Sequence, residues 1–527
     1  MLLSGLALVQ GEWNDARFNN FVLEHGYRWL LRAPPDTRFW DVPAFFPVPN
    51  AAAYSDVLLS VAPPYWLLRA AGAAPDTAFE LWLLAMATLN FGACYVLLRR
   101  ALRASATAAS LGAFVFAFGA PRGAQVYHAQ LVPQLYTVVA LYALWRLFDD
   151  AGDRATTRGG GHHDERRWIA LFFAGAVAQL YAAFYHAWFL GFSLLVAALW
   201  ALVLPASRAA MLGVARRRAW TIAGCAAASA LLAWPMAAHY LRAAHDVGLR
   251  DFSTVEPMLP RPASWLYMGP GSWLYRRLAG LAAFRAIPAE HEQRLGLGFV
   301  TSVVALGGLW GARRRASARL MLLTAATLIV LATLWAPGLS LWPAVYGVVP
   351  GAAALRAVSR IGMMLLVPAS FGVALAAQRL RELSAARPAL ALPLLALPVA
   401  AAIVAEQGQD MDWYDRAAAR ARASAVARAI PAGCAAFLYT PLAPNGDPWW
   451  YHGDAMWAAL ERGVPTVNGY SGNVPRGWPF YDVIARSPAE DSLLAHALSA
   501  WEARWRLAPA TVCRVRLVDA DPAARTR

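Results

Sequence analysis

The residues best suited to chemistry crowd the front of the chain. Between Gly11 and Asp56 lie Glu12, Asp15, Glu24, Asp36, Asp41 and Asp56, with Asn14 and His25 among them. A carboxylate can take a proton from a hydroxyl as a general base, or hold a divalent cation against a phosphate. Asp15 and Asp41 are the candidates for such work. Asp15 also fits a helix cap, and Asp41, in FWD ahead of Pro43, also fits a turn. Further along, polar residues recur in small groups: Tyr127, His128 and Gln130; Tyr185 and His186; Glu256; and Arg356 with Arg360, four apart as on one helical face. Arginine's planar fork grips phosphate through paired hydrogen bonds. These two arginines therefore read as a phosphate grip, with snorkelling to lipid headgroups as the competing use.

A greasy scaffold must hold these residues. The 527-residue chain is 59% hydrophobic and only 15% charged, with a mean hydropathy of +0.40; an ordinary globular domain is about a quarter charged. Apolar runs fall near 78–98, 104–120, 127–147, 167–183, 186–204, 219–240, 297–312, 318–336, 361–378 and 388–405. Each approaches the ~20 residues that cross a bilayer. The net charge of +15 rests on arginine alone, for the chain has no lysine. The arginines cluster between runs, as at Arg99, Arg100 and Arg103, at Arg216 to Arg218 and at Arg313 to Arg315. That is the pattern of cytoplasmic connections, not of a nucleic-acid surface. The alternate short connections, 121–126, 184–185 and 337–360, carry only Arg122, Arg356 and Arg360. The acidic front, the long loop 241–296 and everything after about 406 then lie outside. Met1–Gln10 is too short to span and reads as the end of a first helix, or as a short re-entrant one.

The last segment changes character. Strands are expected at 435–440, 466–470 and 511–518, and helices at 412–430, 454–462 and 489–505. Cys434 and Cys513 lie in or beside these strands, in an oxidising compartment, so a disulfide and a pair of buried thiols are both open. Cys94 and Cys225 sit inside runs as packing residues. His162 and His163 have no further ligands at metal spacing, and no nucleotide motif is present. The expected fold is mainly α: a polytopic α-helical membrane protein of about 10–11 spans with a small C-terminal α/β domain. Its parts are 1–77, 78–405 and 406–527.

With NDARFNNFVLEH at 14–25, FWDVPAFFPVPNAAAYSD at 39–56, GAPRGAQVYHAQLVPQ at 119–134, LRAVSRIG at 355–362 and VPTVNGYSGNVP at 464–475, the chain resembles the GT-C superfamily of polytopic glycosyltransferases. The resemblance implies an essential carboxylate in the first outer loop, a place that Asp15 fills. It also implies transfer of a sugar from a polyprenyl-phosphate donor to an envelope acceptor, outside the bacterial cytoplasmic membrane. No cofactor is certain from the sequence, and a divalent cation held by the carboxylates stays open. Two other classes compete: a membrane scaffold with a partner- or glycan-binding outer domain, and a glycan-lipid transporter. A transporter needs polar residues in mid-span and pseudo-symmetric halves, and neither is visible.

Overall fold

The computed structural model describes residues 4–33, 38–153, 162–248, 250–386, 393–442, 446–508 and 511–518. The longer elements, in chain order, are β1 (Leu8–Gln10), α1 (Asp15–Leu30), α2 (Pro75–Ala101), α3 (Ala106–Phe118), α4 (Leu135–Asp153), α5 (His162–Ala182), α6 (Phe184–Val203), α7 (Pro205–Val247), α8 (Phe299–Gly311), α9 (Ala316–Ala332), α10 (Gly362–Ala386), α11 (Pro393–Glu406), β2 (Trp413–Asp415), α12 (Arg416–Ala429), β3 (Ala436–Leu442), α13 (Pro448–Arg462), α14 (Pro488–Arg504) and β4 (Val512–Val518). The protein is mainly helical, and each expected apolar run overlaps a helix. Among the described residues, five stretches are long and apolar enough to cross a membrane: Pro75–Ala101, Ala129–Phe148, Phe184–Val203, Pro205–Val247 and Val358–Ala386.

Local chemistry explains where these helices start and stop. Pro75 opens α2, Asp76 sits in its first turn, and Arg99 and Arg100 sit in its last, each charge facing the favourable end of the helix dipole. The Ser105 side chain accepts the Ala108 amide to cap α3. The helices meet through small residues. A Cβ on Gly372 would sit 2.1 Å from the Ala305 carbonyl oxygen, and one on Gly308 would sit 1.9 Å from that of Gly372. The α8–α10 crossing therefore brings backbone against backbone. In contrast, α7 turns Trp220, Leu231, Leu232 and Trp234 outward. It runs 43 residues with a non-helical Arg218 inside, longer than the expected run at 219–240.

The front of the chain corrects two expectations. Leu8–Gln10 is not the end of a helix but a strand, paired antiparallel with Trp413–Asp415. Gly11, at φ +109°, ends it. The acidic stretch that follows is not one loop either: from Asp15 it winds into α1, which buries Ala16, Asn20, Phe21, Leu23 and Glu24. Sparse apolar residues in α1 give no run to see.

The C-terminal segment folds around a parallel β3–β4 pair, with Thr466 bridging the other side of β3. A disulfide joins Cys434 and Cys513, Cα atoms 5.9 Å apart. This segment shares one core with the front of the chain, for Phe21, Ala44, Phe45 and Tyr54 pack with Val426, Phe437, Met456 and Trp478. A buried ion triad seals the seam. Arg17 of α1 meets Asp454 at 2.8 Å, and Arg422 of α12 meets the other oxygen of Asp454 at 2.9 Å.

Candidate functional site

Asp15 is the first residue of α1, where exposed amides and the helix dipole favour a carboxylate. Its two oxygens face two different parts of the molecule. Oδ2 lies 2.9 Å from Nε2 of His128. Oδ1 accepts from the Tyr470 hydroxyl at 2.5 Å. Tyr470 arrives from the loop after Thr466, wedged between Phe18 and Trp449 in edge-on contact. His128 arrives from the turn between α3 and α4, so helix bundle, front segment and C-terminal segment converge on one carboxylate.

Behind His128 the network continues. His128 Nδ1 is 3.0 Å from Gln125 Oε1, and Gln125 Nε2 donates to Glu292 Oε2 at 3.1 Å. Since that amide nitrogen faces Glu292, its oxygen accepts, and His128 Nδ1 carries hydrogen. Arg360 holds Glu292 in a two-pronged grip at 2.6 and 3.2 Å, and its Nη2 reaches His128 Nε2 at 3.0 Å. The Tyr185 ring lies 4.8 Å below the guanidinium. Arg360 and Glu292 cancel, so an imidazolium on His128 leaves the group of four neutral against Asp15. A neutral His128 would instead accept from Arg360 and lose its ionic hold on Asp15.

The carboxyls around this point are driven apart. Burial raises Asp15, but His128, Tyr470 and Arg360 together hold it below its ordinary value. Burial also raises Glu292, yet Arg360 and His128 bring it down to about 2. Glu12, three residues before Asp15 and outside the helix, goes the other way: burial, then Asp15, Asp412 and Asp447, push it up to about 7. Asp56 is pushed up to about 6 by burial, against the Phe184 amide and Arg360. Its Oδ1 accepts that amide at 2.7 Å, capping α6 from another element.

Of the residues singled out in the sequence, Asp15, His128, Tyr185 and Arg360 come together. Arg356 and Arg360 do not share a helical face. The chain there is a 3-10 turn at Val358–Ile361 after extended residues, and Arg356 is exposed while Arg360 is 6% exposed. Arg356 stays near through its backbone, whose amide donates to Tyr185 Oη at 3.1 Å. Asp41 is a turn residue apart from the cluster, accepting the Asn50 amide at 2.7 Å and pairing with Arg38 at 2.9 Å. His186 is buried under its hairpin, 2.7 Å from the Leu131 carbonyl. Gln130 points a buried Oε1 with no partner. Glu256 sits in a 3-10 turn beside Arg261, with no bond to the cluster.

Sequence reasoning missed Glu12, Gln125, Glu292 and Tyr470 as members. Gln125 and Tyr470 lie inside quoted segments, but Glu292 has no local signal. Asp36 and the side chains of His162 and His163 lie outside the described residues. Among the described residues no group of three or more His, Cys, Asp or Glu is placed to hold a metal ion, and both Asp15 oxygens already have partners.

A cavity of about 280 Å³ lies at the seam and is lined by Arg17, Glu24, Arg69, Asp76, Arg420 and Trp457 among others. Two smaller ones, of about 20 and 10 Å³, border Tyr470. No protein-family model matches the chain, and no curated protein is significantly similar to it.

Proposed function

We propose that the protein is a membrane-embedded glycosyltransferase acting on a polyprenyl-phosphate-linked sugar at the extracytoplasmic face of a bacterial cytoplasmic membrane. The observation that carries this reading is the Asp15–His128 pair, set between Tyr470 on one side and Arg360 with Glu292 on the other. A carboxylate paired with an imidazole is a proton-handling unit. Asp15 orients His128 and takes or shares the proton of an acceptor hydroxyl. Exposed Arg356 and half-buried Arg250, which faces Arg356 and Tyr185, supply the positive charge a donor phosphate needs as it leaves. In this reading ten or more helices cross the bilayer with arginine clusters inside, and the C-terminal segment caps the site from outside.

The test is Asp15→Asn in membrane vesicles supplied with a radiolabelled polyprenyl-phosphate sugar. Transfer into envelope material is expected to fall at least about a hundredfold, the lower range for losing an acid–base group, with the protein still present in the membrane. An unchanged rate excludes Asp15 as the base.

A second reading has its own observation. Asp15 is saturated by two partners and lines none of the three cavities described, which suits a clasp that holds the outer segment on a non-catalytic scaffold. The clasp predicts that Asp15→Asn lowers thermal stability and that the unaltered protein transfers no sugar in the same vesicles.

A further inference from the structure

We propose that the segment Trp273–Arg285 is an anchor that lies in the outer membrane–water interface and binds anionic phospholipid headgroups. The segment is a thin layer of two short turns, Arg276–Gly280 and Ala282–Arg285. Its inner side is packed: Phe284 and Ile287 join Tyr267, with Ala279 against them. Its outer side is apolar and bare, with Trp273, Leu274, Leu278 and Leu281 between 41% and 56% exposed. Arg276, Arg277 and Arg285 are exposed among them. Of these, Arg276 has an acidic neighbour, Asp410, at a loose 3.8 Å.

The position is fixed by the ends of two helices. Trp273 donates its amide to the Gly408 carbonyl at 3.0 Å and its indole N–H to Asp410 at 2.9 Å. The Tyr275 hydroxyl accepts the first amide of α8, that of Phe299, at 3.2 Å, and donates to Glu406 at the end of α11. The bare face therefore borders α8, which turns Phe299, Val303, Leu306 and Trp310 outward at 54–73% exposure. Water gives such a surface no partner. The boundary of a bilayer does, for Trp and Leu enter the acyl edge while arginines stay at the headgroups. The arginines select the sign of the lipid: each is worth roughly a fivefold preference for an anionic surface at this depth.

The inference rests on α8 and α11 crossing a bilayer, not on sugar transfer. Nitroxide labels test it on single cysteines placed at Leu278, Leu281, Leu306 and Ser492, with Cys94 and Cys225 replaced by alanine and the disulfide kept. The protein is reconstituted in nanodiscs of phosphatidylcholine with phosphatidylglycerol. Labels at 278 and 281 are expected to collide with oxygen more than with a water-soluble nickel chelate, as the label at 306 does, while 492 on α14 shows the reverse. Labels at 278 and 281 that behave like 492 overturn the anchor. If 306 also reports water, the spanning reading fails and the anchor falls with it. Replacing Arg276, Arg277 and Arg285 by glutamine is expected to reduce retention of labelled phosphatidylglycerol over phosphatidylcholine by tenfold or more. An unchanged ratio overturns the headgroup contact.

Discussion

Glu12 and Asp15 are three residues apart and carry the same functional group, yet their surroundings split them. Asp15 is held ionised by His128, Tyr470 and Arg360; Glu12 has carboxylates for neighbours and is pushed up to about 7. Such a split is how one site keeps an anion and a proton side by side. It has a consequence for stability. Glu12 ionises near its ordinary value of 4.5 when the chain unfolds and is pushed up to about 7 when folded. Between those values the folded state binds more protons, so Glu12 lowers stability as pH rises across that window and adds no slope above it. Glu12→Gln should flatten the fall in thermal midpoint between about pH 4.5 and 7, measured in nanodiscs. An identical profile in wild type and variant would show that Glu12 does not carry the slope.

At the scale of elements, the bundle depends on close approach. Gly372 leaves no room for a side chain beside Ala305, so Gly372→Leu should destabilise by at least the ~1–3 kcal/mol of an overpacked core. Gly191→Leu on α6, where no atom lies within 4 Å of a built Cβ, should leave the thermal midpoint unchanged. Equal midpoints for the two variants would mean that the α8–α10 crossing is not backbone-tight. The helices of this bundle were legible in the sequence because each is a run of apolar residues, a local property. So were Asp15 and His128, through unusual polarity near apolar runs, while Cys434 and Cys513 beside strands left a disulfide and a thiol pair both open until the fold brought them together. What could not be read is pairing over distance. Leu8–Gln10 looks like nothing until Trp413–Asp415 lies beside it, and Glu292 and Tyr470 look ordinary until folding brings them to His128 and Asp15. The two arginines at 356 and 360 misled for the opposite reason: their spacing is helical, but the local backbone is not.

At the scale of the whole molecule, the front and the end of the chain form one body on the bundle, sealed by Asp454 between Arg17 and Arg422 at 0% exposure. Removing one partner of such a buried ion group typically costs about 3–5 kcal/mol. Asp454→Asn should therefore loosen the C-terminal segment, seen as faster release by limited proteolysis and a lower thermal midpoint. Asp491→Asn, whose partners Arg514 and Arg516 lie nearer the surface, should cost less than about 1 kcal/mol. Equal effects would show that the seam is held by its apolar core alone. The pairing of β1 with β2 also sets an order of events during synthesis. Leu8–Gln10 leaves the ribosome well before its partner strand, which follows some four hundred residues later. Until residues 413–415 have been made, β1 has no ladder, and until Tyr470 has been made Asp15 lacks one of its two partners. The site is therefore complete only once the C-terminal segment has been made, and a chain stalled before Tyr470 has no finished centre.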